Sequence, residues 1–124
     1  MNPVIHTDNA PAAIGPYSQA VRAGDFLYTS GQLPVDPATG ELAGSDIAAQ
    51  ADQAIRNVGA ILEAAGFAYT DAVKTLCFLS DMADFAGFNA VYKKYFTGKP
   101  ARSCVAVKQL PKNALCEIEV VCHK

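Results

Sequence analysis

Arg102 opens a run of small and apolar residues, Ala101, Ser103, Cys104, Val105, Ala106 and Val107, directly after Pro100. On a strand, Arg102, Cys104 and Ala106 share one face. A guanidinium there offers a planar fork of donors matched to a carboxylate or a phosphate. A strand-end Arg reaching to water, or pairing with an acid, is the competing reading, and the pattern alone leaves the two level. Glu117 and Glu119 alternate with Cys116, Ile118, Val120 and Cys122, so both carboxylates point away from that apolar register. A solvated face is the ordinary meaning of such a register. Against another subunit, one glutamate becomes partly buried and can serve as a base toward water. Asn89 lies at the edge of a helical apolar stripe, where an amide needs partners; a neighbouring loop would satisfy it equally well. Ser30-Gly31 follows a strand, where backbone N–H groups can hold a small anion, although Ser-Gly is also common turn chemistry.

Other chemistries lack their residues. No G-x-S-x-G, P-loop, dinucleotide fingerprint or H-E-x-x-H is present. His6 and His123 have no Cys or Ser at a readable spacing. Cys77, Cys104, Cys116 and Cys122 form no C-x-x-C pair, and zinc would need ligands at closer spacing. Buried free thiols are the expectation for Cys77, Cys116 and Cys122. Without a base to make a thiolate, Cys104 is expected to contribute its backbone rather than a nucleophile. The net charge of −2, with only Lys93-Lys94 adjacent, gives no basic stripe, so nucleic acid is not expected as a main partner. No apolar run approaches the ~20 residues of a membrane span. The first residues lack a signal peptide's basic and apolar regions. A soluble cytoplasmic protein with one domain over residues 1–124 is expected, its 51% hydrophobic content enough for its own core.

The elements that must position these residues are legible from period and punctuation. Strands are expected over 17–22 and 26–30, joined by Ala23-Gly24-Asp25. Ile47, Ala51, Ala54, Ile55, Val58, Ile61, Leu62 and Ala65 mark one face of a helix, capped by Ser45 or Asp46 and stopped by Gly66. A strand over 73–79 follows. A second helix begins at Ser80 or Asp81 and carries Met82, Phe85, Phe88, Tyr92, Tyr95 and Phe96. Strands over 102–107 and 115–121 complete a ββ-α-β-α-ββ order. This is an α+β two-layer sandwich, with two helices on one face of a mixed sheet. The strands offer apolar residues in both registers, for example Leu76 and Phe78 against Val73, Cys77 and Leu79. Two helices cover one face only, so the other is expected to meet further copies of the chain.

The segments Gly15-Pro16-Tyr17-Ser18-Gln19-Ala20, Thr29-Ser30-Gly31-Gln32-Leu33-Pro34, Asn57-Val58 through Leu62-Glu63-Ala64-Ala65-Gly66, Pro100-Ala101-Arg102-Ser103-Cys104-Val105 and Glu117-Ile118-Glu119 together resemble the RidA/YjgF family of reactive intermediate deaminases. The resemblance runs nearly end to end. It implies a chorismate-mutase-like fold and a homotrimer with sites between subunits. It also implies hydrolysis of 2-iminopropanoate and 2-iminobutanoate to 2-keto acids and ammonia, without cofactor or metal. Carried over by position, Arg102 clamps the substrate carboxylate and Glu117 positions or activates water. The backbone of Ser30, Gly31 and Cys104, with the side chains of Tyr17 and Asn89, completes the site. Between the second helix and Pro100 the chain has only Thr97-Gly98-Lys99, shorter than in many relatives and next to Arg102. A non-catalytic binder of small carboxylates would share every residue named, and turnover separates the two. RNA cleavage, an older label for the family, fits the charge distribution poorly.

Overall fold

The computed structural model describes residues 2–124. Helix α1 spans Ile47–Ala65 and begins where Asp46, in extended conformation, accepts the Ala49 N–H at 2.8 Å. It ends at Gly66 (φ 80°), whose N–H closes back on the last turn. The middle of its apolar stripe, Ile55, Val58, Ile61 and Leu62, is fully buried, while Ile47 and Ala65 at its ends are partly buried. Each such side chain removed from water stabilises the fold by about 1.5–3 kcal/mol. Helix α2 spans Phe85–Tyr95 and is preceded by a single 3-10 turn, Met82–Asp84, capped by Asp81.

Six strands form one sheet: β1 (Val4–Ile5), β2 (Ala20–Ala23), β3 (Phe26–Thr29), β4 (Ala72–Leu79), β5 (Ala101–Ala106) and β6 (Cys116–His123), in the spatial order β1-β2-β3-β6-β4-β5. All neighbours are antiparallel except β4 and β5, which run parallel, so the sheet is mixed. Strand β5 lies at one edge. Both helices pack on one face, against Leu27, Cys77, Leu79, Ile118, Val120 and Cys122. The other face carries Phe26, Tyr28 and Val105, each 40–48% exposed, beside half-buried Leu76, Phe78, Glu117, Glu119 and Val121. The α+β architecture and the uncovered second face are as the sequence implies. Among the described residues no helix is long and apolar enough to cross a membrane.

Four local features differ from expectation. The second helix begins at Phe85, after the 3-10 turn, rather than at Ser80 or Asp81, which leaves Met82 43% exposed and off the apolar stripe. The first expected strand starts at Ala20 rather than Tyr17. The chain instead bends at Gly15 and Pro16, where the Tyr17 N–H donates to the Gly15 carbonyl at 2.9 Å, and runs irregularly to Gln19. A two-residue strand, β1, pairs with β2 and is too short to carry a period. In β4 the pairing with β6 slips between Ala72 and Lys74, which leaves Val73 44% exposed. The inward register begins at Thr75, which alternates with Cys77 and Leu79 on the buried face.

Candidate active site in two halves

The residues singled out by sequence gather in two groups. The first lies where β5 meets α2. Phe85, Asn89 and Tyr92 are spaced four and three apart, so one helical face presents all of them. Arg102 leaves β5 toward that face. Its Nη1 donates to Asn89 Oδ1 at 2.7 Å. Its guanidinium carbon lies 4.7 Å from the centre of the Tyr92 ring and 5.5 Å from that of Phe85. A cation over aromatic faces is attracted by their quadrupoles, and the amide bond fixes its rotation. Cys104 is two residues on along the same face, half-buried, with its backbone on the edge strand. Burial raises the Cys104 pKa, and the positive charge of Arg102 recovers part of the shift. The thiol is therefore protonated near neutrality and a poor nucleophile. An open groove of about 330 Å³ is lined by Asn89, Tyr92, Lys93, Phe96, Lys99, Pro100 and Arg102. The short loop noted in the sequence supplies its Lys99 wall.

The second group surrounds Gly31. Ser30 and Gly31 continue past β3, and Gln32 bridges Ile118 of β6 through backbone bonds of 2.7 and 3.2 Å. That pairing lays Glu117 over Gly31. A Cβ added to Gly31 would stand 2.5 Å from Glu117 Oε2 and 2.8 Å from its Cδ. Only a glycine leaves room for the carboxylate there. The Glu117 pKa is raised, first by burial and then by the negative charge of Glu119. Ser30 Oγ donates to the Ser18 carbonyl at 2.6 Å, so this hydroxyl already holds the neighbouring loop. Tyr17 projects from that loop, 53% exposed. A groove of about 380 Å³, mostly apolar, runs between Tyr17, Ile14, Gly31, Leu33 and Lys112.

Two supporting amides were not legible as site residues. The Gln19 side chain exchanges bonds with both backbone groups of Thr7 and donates to the Pro11 carbonyl, which fixes the path of the loop leading to Tyr17. Buried Asn57 donates to the carbonyls of Leu33 and Val35, both at 2.9 Å, and anchors the segment after Gly31 to α1. Tyr92 and Phe85 read in sequence as core aromatics. Their role under Arg102 depends on where α2 crosses β5, which no local pattern encodes. A third groove, about 580 Å³ and lined by Arg56, Asn57 and Tyr69, contains none of the candidate residues.

The two halves do not meet within one chain. Register places Arg102 opposite Thr75 and thus level with Val120, while Glu117 lies three residues further along β6. With strands ~4.8 Å apart and ~3.3 Å per residue, the two Cα atoms are on the order of 14 Å apart. Their side chains also leave opposite faces: Arg102 bonds to α2, whereas Glu117 alternates with buried Cys116 and Ile118.

Residues 7–124 match the family model described as endoribonuclease L-PSP. The chain belongs to this family, also called RutC/YjgF/RidA. Among its L-PSP family relatives, the 2-iminobutanoate/2-iminopropanoate deaminase of Escherichia coli K12 is 53% identical over 125 residues, covering 98% of this chain and 97% of that protein. A RutC family protein of Pyrococcus horikoshii is 52% identical over 125 residues, covering 100% and 99%. Among solved structures, E. coli TdcF with bound serine superposes with a TM-score of 0.94 at 44% identity, covering 98% of each chain. The E. coli YjgF gene product gives 0.94 at 51% identity, again covering 98% of each.

Proposed function

We propose that this L-PSP family protein hydrolyses 2-iminopropanoate and 2-iminobutanoate to the 2-keto acid and ammonia, at sites assembled between the chains of a homotrimer. The observation that carries this reading is the pair of half-sites: an oriented guanidinium on one, and a desolvated carboxylate over a glycine on the other. Each lacks what the other has. The uncovered sheet face and the free edge of β5 supply the surface on which copies would join them. The name of the 53% identical E. coli relative supports the substrate class. Four unbridged cysteines fit a reducing, cytoplasmic setting.

The chemistry follows from the groups. Arg102 holds the substrate carboxylate through charge-assisted bonds, with Asn89 fixing the fork. Glu117, of raised proton affinity, takes a proton from water as its oxygen adds to the C=N carbon. The substrate reacts as its iminium, C=NH2+, so this addition gives a neutral carbinolamine. The glutamic acid then returns its proton to the amino group, and as the C–N bond breaks Glu117 takes the hydroxyl proton, so the C=O forms and ammonia leaves, carrying that proton away as ammonium. The imine is already electrophilic, so positioning and modest acid–base help suffice. The backbone of Ser30, Gly31 and Cys104, with the Tyr17 side chain, closes the site.

The serine bound to TdcF favours a second reading, a carboxylate-binding protein without turnover. The test is to feed threonine dehydratase product to the purified protein and follow imine loss above the spontaneous rate, with assembly measured on the same sample. Wild type should accelerate loss as a trimer. Arg102→Ala should remain trimeric and lose ~30- to 1000-fold in kcat/KM. A wild-type protein that binds 2-oxobutanoate yet leaves the spontaneous rate unchanged would establish the second reading instead.

A further inference from the structure

The reading of Arg102 as carboxylate anchor leaves open what sets the plane of its fork. Asn89 accepts from Nη1, which fixes one corner of the guanidinium and leaves Nε and Nη2 for a ligand. One hydrogen bond still allows the group to swing about it. The Tyr92 ring, 4.7 Å below the guanidinium carbon, removes that freedom.

The ring is itself held from several sides. Tyr92 Oη and Thr75 Oγ1 share a buried hydrogen bond of 2.7 Å. Thr75 lies on β4, directly beside Arg102 in the parallel register. Phe96 stacks on the ring at 4.6 Å with 25° between planes, and Phe88 lies 5.9 Å away. The strand that neighbours Arg102 therefore also fixes the platform beneath it. Thr75 alternates with Cys77 and Leu79 onto the helix-covered face of β4, and this brings its hydroxyl within reach of Tyr92.

We infer that Tyr92, tethered by Thr75, is a positioning residue that sets the plane of the Arg102 guanidinium and so the angle at which the substrate carboxylate is held. The inference rests on the anchoring role of Arg102. Its test therefore measures binding of 2-oxobutanoate, the non-reacting product acid, beside kcat and KM. Tyr92→Leu removes the π face and should weaken 2-oxobutanoate binding ~3- to 30-fold. KM should rise in proportion and kcat move much less, as for lost uniform binding. Tyr92→Phe keeps the ring but loses the tether, so it should recover the affinity only to the ~2- to 5-fold deficit expected of Thr75→Val. In an Arg102→Lys background Tyr92→Leu should add nothing, because an ammonium has no plane to set.

Tyr92→Leu that melts as a folded protein and binds 2-oxobutanoate as wild type does, while Arg102→Ala does not bind it, would overturn the positioning role and leave the anchor standing. Arg102→Ala with wild-type affinity would overturn both. Where Tyr92→Leu does not fold, Thr75→Val decides. Untethering the ring should weaken binding ~2- to 5-fold, and unchanged affinity would refute the proposal.

Discussion

Gly31→Ala separates the carboxylate's position from its presence. Gly31 has no positive φ, so alanine meets no backbone strain there. The added methyl would stand 2.5 Å from Glu117 Oε2, 2.8 Å from Cδ and 3.1 Å from Cγ, where ordinary contact begins near 3.4 Å. Relief requires the carboxylate to retreat by about 1 Å. The atoms in the way are the end of a flexible side chain, so rotation off its rotamer costs about 0.5–1.5 kcal/mol of stability. Catalysis is less forgiving. A base misplaced by about 1 Å loses on the order of 10²-fold in rate. Gly31→Ala should thus melt close to wild type, retain 2-oxobutanoate binding at Arg102, and lose on the order of 10²-fold in kcat in the dehydratase-coupled assay. The same substitution leaves Glu117 chemically intact, unlike Glu117→Gln. Wild-type kcat in folded Gly31→Ala, with Glu117→Gln inactive, would refute the claim that Glu117 acts from its place above Gly31.

Three further outcomes follow. Glu117→Gln should lower kcat by roughly 10²-fold yet raise thermal stability at neutral pH. The folded-state pKa of Glu117 is raised by burial and by Glu119, so its ionised form opposes folding; the difference should grow as pH rises through that raised value and vanish below the ordinary glutamate range. Cys104→Ala should keep most of its turnover, since burial keeps the thiol protonated; complete loss of activity in a folded trimer would contradict this. Asn57→Ala should lower urea stability by about 2–3 kcal/mol by unpairing the Leu33 and Val35 carbonyls, and a change below 0.5 kcal/mol would show that water replaces the amide.

How far the sequence could be read depended on whether a signal was local. The α1 boundaries came from Asp46 and Gly66 because capping is decided within one turn. The face taken by Glu117 came from strict alternation in β6. Strand β1 is not legible because two residues carry no period, and Tyr17 falls outside β2 because its amide turns back on the Gly15 carbonyl, a contact that no alternation encodes. Val73 was misplaced because a pairing slip belongs to two strands at once. The candidate residues were visible by type, but their division between two faces was not. It follows from the pairing of β5 with β4 and of β4 with β6, which sets Arg102 level with buried Thr75 and Val120 and Glu117 in the opposite register. Tyr92 was hidden for a related reason, since an aromatic in a core stripe looks the same whether it meets a leucine or a guanidinium.

Arg102 and Glu117 leave opposite faces of a single sheet, and genetics can read that separation. Under the interface site proposed above, Arg102→Ala and Glu117→Gln subunits are each strongly impaired alone but carry complementary defects. Unfolded together and reassembled at equal ratio, they should regain activity. A site revives wherever a subunit with an intact arginine is followed around the ring by one with an intact glutamate, which is about a quarter of all positions under random mixing. A chain carrying both substitutions poisons two sites in every trimer it enters. An otherwise recessive pair of alleles would thus complement in trans, while the same two changes in cis would behave as a dominant inhibitor.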